Sequence, residues 1–179
     1  MRKFIFSISM IVLAMLSSWG QGQNDPVIKI IQKAYAEAEA QIAMGEEEHQ
    51  AKNMMTVDID QMWPGSGRHN EKIQFYFTLD NERGNWGNTL YLVRKTHNVA
   101  AREFYEEYLY DIQEKGSPLF CLYTYYNNEG ERRQLRLYFN NGKPYKQVPE
   151  AAPVELEPDI ILGEFGNYYD VFRKLVGRL

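Results

Sequence analysis

The chain runs to 179 residues, 44% hydrophobic and 14% aromatic, with 24 acidic against 20 basic side chains and a formal net charge of −4. An acidic balance gives no phosphate-neutralising affinity, so nucleic acid and anionic membrane surfaces drop out as partners. The single cysteine, Cys121, excludes an intrachain disulfide, so the fold must be held by its core.

Arg2 and Lys3 precede an uncharged, mostly apolar run from Phe4 to Leu16, followed by the small residues Ser17, Ser18 and Gly20. This is the layout of a cleavable secretory signal peptide, its apolar run shorter than the roughly 20 residues a helix needs to span a bilayer. Cleavage is expected between Gly20 and Gln21. That leaves residues 21–179 as one domain and, with Arg2 and Lys3 gone, moves the formal charge from −4 to −6. No cysteine stands at the cleavage site, so the expected location is periplasmic or secreted, with no lipid anchor.

Asp25 and Pro26 suit the start of a helix, an aspartate capping the free amides and a proline at the first helical position. Val27, Ile28, Ile31, Ala34, Tyr35, Ala38 and Ile42 recur at helical steps, and Gly45 reads as the stop, which predicts a helix over about 26–44. From Asn53 the period falls to two. Met55, Val57 and Ile59 alternate with Thr56, Asp58 and Asp60, and Ile73, Phe75, Phe77 and Leu79 alternate with Lys72, Gln74, Tyr76 and Thr78. These are half-buried strands, with turn chemistry in Pro64-Gly65-Ser66-Gly67 between them. Leu90 to Lys95 reads as a third strand. Strands over 118–126 and 132–139 flank Asn127-Asn128-Glu129-Gly130, and Asn141-Gly142 predicts a tight hairpin into Lys143 to Val148.

Residues 99–115 fit two periods. Ala101, Phe104, Tyr105, Tyr108, Leu109 and Ile112 make a helical stripe, whereas the density of tyrosine and phenylalanine, and the placement before LFCLYTYY, favour a strand. We take strand. Pro149, Pro153 and Pro158 mark an extended connector, and Phe165, Tyr168, Tyr169, Phe172, Leu175 and Val176 predict a last helix over about 164–177. Short polar turns favour an antiparallel meander, here of five to seven strands. The expected fold is α+β: one sheet with an N-terminal and a C-terminal amphipathic helix packed on it.

The common catalytic signatures are missing. Neither a phosphate-binding glycine loop nor a nucleophile elbow occurs, and Gly65-Ser66-Gly67 is too short to be either. Cys121, inside the apolar Phe120-Cys121-Leu122-Tyr123, reads as a buried structural thiol rather than a nucleophile served by His49, His69 or His97. Glu46 with His49, and Asp58 with Asp60, lack the spacing of a closed zinc site. Glu46-Glu47-Glu48 reads as a hydrated run, and Asp80 to Asn85 as a plain turn rather than a calcium loop. No catalytic residue, metal or cofactor is expected.

Aromatic residues are the unusual feature, with 13 Tyr, 9 Phe and 3 Trp. Tyrosine joins a flat apolar ring to a polar tip, which suits sugar or peptide recognition. The candidate binding residues are Tyr76, Tyr91, Tyr123, Tyr125 and Tyr138 on a sheet face, with Trp63 and Trp86 beside glycine-rich turns. In a meander those two turns lie at opposite ends of the sheet, so the tryptophans do not form one platform. Packing of the rings against the helices competes with this reading. Arg132 and Arg136, with Lys143 and Lys146 on the next strand, read as a solvated face or as a small cationic patch.

The signal peptide, the amphipathic helix and the tyrosine-rich hairpin text FYEEYLYD, PLFCLYTYY and RLYFNNGKPY together resemble the small exported proteins of the Bacteroidetes type, a domain of unknown function. RLYFNNGK is also similar to the hairpins of MORN-like variant repeats. The resemblance implies a hairpin-rich antiparallel sheet in the cell envelope and carries no catalytic residue. Two functions are expected to compete. One is a non-catalytic binding module for an envelope protein, peptide or glycan. The other is an envelope hydrolase that gathers at least two of Asp58, Asp60, Glu103, Glu106, His69 and His97 in one pocket.

Overall fold

The computed structural model describes residues 25–47, 53–65, 67–80, 87–99, 102–151 and 153–176. The signal-peptide reading over 1–20, His49, Glu48 and Trp86 lie outside them.

Helix α1 spans Pro26–Glu47. Asp25 caps it, Oδ1 accepting from the amides of Val27 at 3.0 Å and Ile28 at 3.4 Å. Gly45 does not end it. One glycine costs a helix only about 1 kcal/mol relative to alanine, and the helix continues through it. Seven strands follow: β1 (Met54–Trp63), β2 (Gly67–Asp80), β3 (Gly87–Val99), β4 (Arg102–Tyr110), β5 (Pro118–Tyr126), β6 (Arg132–Asn140) and β7 (Lys143–Val148). They form one antiparallel sheet in sequence order, the expected meander. The ambiguous segment is strand β4. Asn141 (φ 51°) and Gly142 (φ 71°) make the β6–β7 turn with positive φ at both central positions, the geometry that matches strand twist.

Helix α2 spans Pro158–Leu175 and starts earlier than its apolar stripe suggested. Pro158 occupies its first turn, where a missing amide costs nothing, and so opens the helix rather than extending the connector. Arg173 and Lys174 sit in its last turn, favourable to the helix dipole.

The two helices take opposite faces of the sheet. Ile28, Ile31, Tyr35, Ala38 and Ile42 of α1 pack on Tyr76, Leu92, Leu109, Phe120, Leu122 and Tyr138. Ile161, Phe165, Tyr168 and Phe172 of α2 pack on Phe75, Val93, Tyr108, Cys121, Leu137 and Phe139. Neither helix covers its face fully. The 14 residues of β2 extend about 46 Å, whereas a helix laid across the strands covers a strip only about 10 Å wide. The strand halves nearest the β1–β2 and β5–β6 turns therefore project past both helices. Among the described residues no helix is long and apolar enough to cross a membrane.

Candidate functional site

Strands β3 and β4 organise the chemistry. Their register sets Arg94 opposite Glu107 and Lys95 opposite Glu106. Neighbouring residues on a strand point to opposite faces, so two like-charged dipeptides place one ion pair under each helix.

On the α1 face, Glu107 is 1% exposed. It accepts from the Tyr35 hydroxyl at 2.7 Å and from Arg94 Nε at 3.0 Å, and the Tyr105 hydroxyl also donates to it. Arg94 also binds Glu39 of α1 and lies 5.6 Å over the Tyr76 ring. Burial, then the charge of Glu107, pushes the Tyr35 and Tyr105 hydroxyls far above the ordinary tyrosine range. Burial also raises the Glu39 carboxyl, against the pull of Arg94. Through Tyr35 and Glu39, this network docks α1 on the sheet.

On the α2 face, Glu106 is 3% exposed. Its Oε2 accepts from the Tyr108 hydroxyl at 2.6 Å, while Lys95 Nζ stands 3.6 Å and His97 Nδ1 3.4 Å from Oε1. Lys95 also reaches Glu71 at 3.5 Å, and Glu71 lies 3.6 Å from His69 Nε2. The result is a line of polar side chains from His69 through Glu71, Lys95 and Glu106 to His97. The Lys95 ammonium occupies the place between the two carboxylates that a cation would take. Among the described residues no three His, Cys, Asp or Glu side chains are grouped to hold a metal ion.

Burial raises the Glu106 carboxyl, with Lys95 and the Tyr108 bond opposing. Burial, then the Lys95 ammonium, lowers His97 to about 4 from its ordinary 6.5. Although His97 Nδ1 lies near Glu106, it makes no hydrogen bond in this geometry, in keeping with a neutral ring. The depressed value sets the sign of a pH effect. The stability His97 contributes is complete above about pH 6.5 and is lost as pH falls toward about 4. After allowance for solvent screening, that loss is about 1–2 kcal/mol. Urea unfolding at pH 7 and at pH 4 checks it: His97→Gln should lose that much less stability than the parent on acidification. Equal losses would refute it.

Beyond this line the α2 face is aromatic and half-exposed. His97 stacks on Phe104 at 4.9 Å and 7°, Tyr126 meets Phe104 edge-on at 5.3 Å, and Arg102 lies 5.1 Å over Tyr126. A groove of about 200 Å³ runs along Phe104 and Tyr126, lined also by Arg102, Tyr123, Tyr125 and Leu156. Tyr125 also lines a second groove of about 540 Å³ with Arg132, Arg133, Gln134 and Pro149. A polar hollow of about 560 Å³ near the β1–β2 turn is lined by Asp58, Asp60, Arg68, Asn70, His97 and Glu103, among others.

The five candidate tyrosines do not share a face. Tyr76, Tyr91 and Tyr138 are 7%, 5% and 4% exposed in the core beneath α1, so they are packing residues. The helix crosses the part of the sheet where they stand, and this is the correction to the expected site. Tyr123 and Tyr125 lie on the opposite face, half-buried, and line the aromatic groove. Trp63 ends β1 at the turn, and Trp86 lies outside the described residues. Arg132 and Arg133 line the second groove, whereas Arg136 sits further along where β6 pairs with β7, the strand that carries Lys146.

Of the residues considered for hydrolysis, His69, His97 and Glu106 converge on the α2 face, the two imidazoles 6.2 Å apart. Asp58, Asp60, Glu103 and His97 line the polar hollow. Asp60 is held there by Arg68 at 2.9 and 2.5 Å. Cys121 is buried, and burial pushes its thiol well up, as a structural cysteine requires. The sequence reading missed Phe104, Tyr126 and Arg102 as groove residues. Their signal was the β3–β4 register, which pairs His97 with Phe104. No family model, no curated protein and no solved structure matches this chain.

Proposed function

We propose that this chain is an exported, non-catalytic binding module for an envelope protein, peptide or glycan, and that the aromatic groove on the α2 face is its binding site. The observation that carries this reading is the His97–Phe104 stack with Tyr126 against its edge. Rings fixed in this way present flat apolar area without the entropy cost of ordering flexible side chains. Arg102 at the rim supplies a polar contact. Binding is favoured over hydrolysis because two of the gathered carboxylates are already occupied, Glu106 by Tyr108 and Lys95 and Asp60 by Arg68.

Native mass spectrometry of the protein purified from its own host tests this. The parent is expected to carry a retained mass, and Phe104→Ala and Tyr125→Ala should lower its occupancy about tenfold while leaving the fold intact, as loss of an aromatic anchor does. A protein that comes out empty, or a ligand kept equally by both variants, would overturn the proposal.

A further inference from the structure

The two outer edges of the sheet are unlike. β7 carries the devices that keep an edge from pairing: it is 6 residues long, it contains Lys143, Pro144 and Lys146, and its register on β6 shifts after Tyr138. β1 has no lysine, no proline and no bulge. Its 10 residues pair with β2 in one unbroken register from Met54↔Tyr76 to Trp63↔Gly67, and among the described residues no strand lies on its outer side. Its two acids have cations beside them on β2. Asp60 is bound by Arg68 at 2.9 and 2.5 Å, and Asp58 stands opposite Lys72.

The Asn53 carbonyl accepts from the Phe77 amide at 3.1 Å. Backbone groups alternate sides along an antiparallel strand, so Met55, Val57 and Ile59 turn theirs toward β2, and Met54, Thr56, Asp58 and Asp60 turn theirs outward. On the α2 face the side chains of Met55, Val57 and Ile59 form an apolar row that is only half-buried.

We propose that the β1 edge is a dimer interface, at which a second copy of this chain pairs antiparallel across a two-fold axis at Val57. The acids select the register. An axis at Asp58 sets that carboxylate against its own copy, and an axis at Ile59 sets Asp58 against Asp60. Like charges directly opposite are destabilising. An axis at Thr56 avoids them but sets Ile59 opposite the polar Asn53. The axis at Val57 sets Asp58 opposite Thr56 and Asp60 opposite Met54, and it closes the apolar row on itself, Val57 on Val57 and Met55 on Ile59. A second copy is chosen over a foreign peptide because this edge is complementary to its own reverse. The helices do not obstruct it. Helix α1 packs against Met54, which in this register lies about 20 Å along the strand from its copy, and a helix is only about 10–12 Å wide.

The axis stands perpendicular to the sheet, so both α2 faces look the same way and the dimer presents two aromatic grooves side by side. A repeating ligand that reaches both is held far more tightly than by one. That consequence rests on the groove being the binding site. The dimer does not, and its failure would leave the groove reading standing.

The test is sedimentation equilibrium of the protein purified from its own host, with amide exchange at low and high concentration. The parent is expected to dimerise reversibly, and the amides of Thr56, Asp58 and Asp60 should exchange more slowly as concentration rises. Asp58→Pro removes an outward amide without touching the β2 ladder, a change that edge strands accept, and should abolish the dimer. Thr56→Asp should weaken it about tenfold. Thr56→Lys, facing Asp58 of the second copy, should tighten it about tenfold, because the axis makes each contact count twice. A parent that stays monomeric up to about 1 mM would overturn the proposal. So would a dimer that survives Asp58→Pro, one that Thr56→Asp and Thr56→Lys change equally, or a monomer whose same amides are protected by a co-purified peptide.

Discussion

Replacing Arg94 with methionine is expected to lower folding stability by about 3–5 kcal/mol, the usual cost of removing one partner from a buried ion pair. Glu107 would keep only the hydroxyls of Tyr35 and Tyr105, and two neutral donors do not balance a carboxylate withdrawn from water. The change also cuts the link from Arg94 to Glu39, which ties α1 to the sheet. The double variant Arg94→Met/Glu107→Gln should recover most of the loss. A glutamine carries no charge yet still accepts from Tyr35. Urea midpoints of the parent, the single and the double variant decide the matter. A single variant within about 1 kcal/mol of the parent would mean that the network contributes geometry but little energy.

This network shows where the sequence is legible and where it is not. Strand β2 could be read because its alternation survives in the projecting half of the sheet, where Lys72 is exposed and Ile73 is buried. Strand β5 shows less alternation because both its faces are covered, Phe120 and Leu122 by α1 and Cys121 by α2. Tyr76 sits on the polar-looking side of β2, yet α1 covers it. Which part of a long strand a narrow helix covers is set by three-dimensional packing, not by period. The two glutamates of FYEEYLYD look like a solvated pair. Each is buried because β4 sends one to each face, and because β3 sets Arg94 and Lys95 opposite them. No local rule shows this without the register. The same holds for the aromatic groove: His97 and Phe104 are separate in the sequence and become one surface only through the hairpin pairing.

Phe165→Ala is expected to cost about 3–5 kcal/mol, toward the upper end of that range. The ring is fully buried, edge-on to Tyr108 at 5.1 Å, Tyr110 at 5.0 Å and Phe139 at 5.2 Å. The cost of a deleted ring depends on how far its neighbours can move into the space. Here two of the three are pinned: the Tyr110 hydroxyl donates to the Phe165 carbonyl at 2.9 Å, and the Tyr108 hydroxyl donates to Glu106 at 2.6 Å. Collapse into the cavity would break one of these bonds, so the cavity stays open. Phe165→Leu, which keeps most of the volume, should lose less than about 2 kcal/mol. Chemical denaturation separates the two substitutions, and equal losses would mean that the core relaxes freely. Amide exchange adds a reading at the site. Tyr108 connects Phe165 to Glu106, and Glu106 is the carboxylate beside His97, so faster exchange should extend along β4 to the aromatic groove. Exchange unchanged in β4 would show that the groove does not depend on the packing of Phe165 beneath α2.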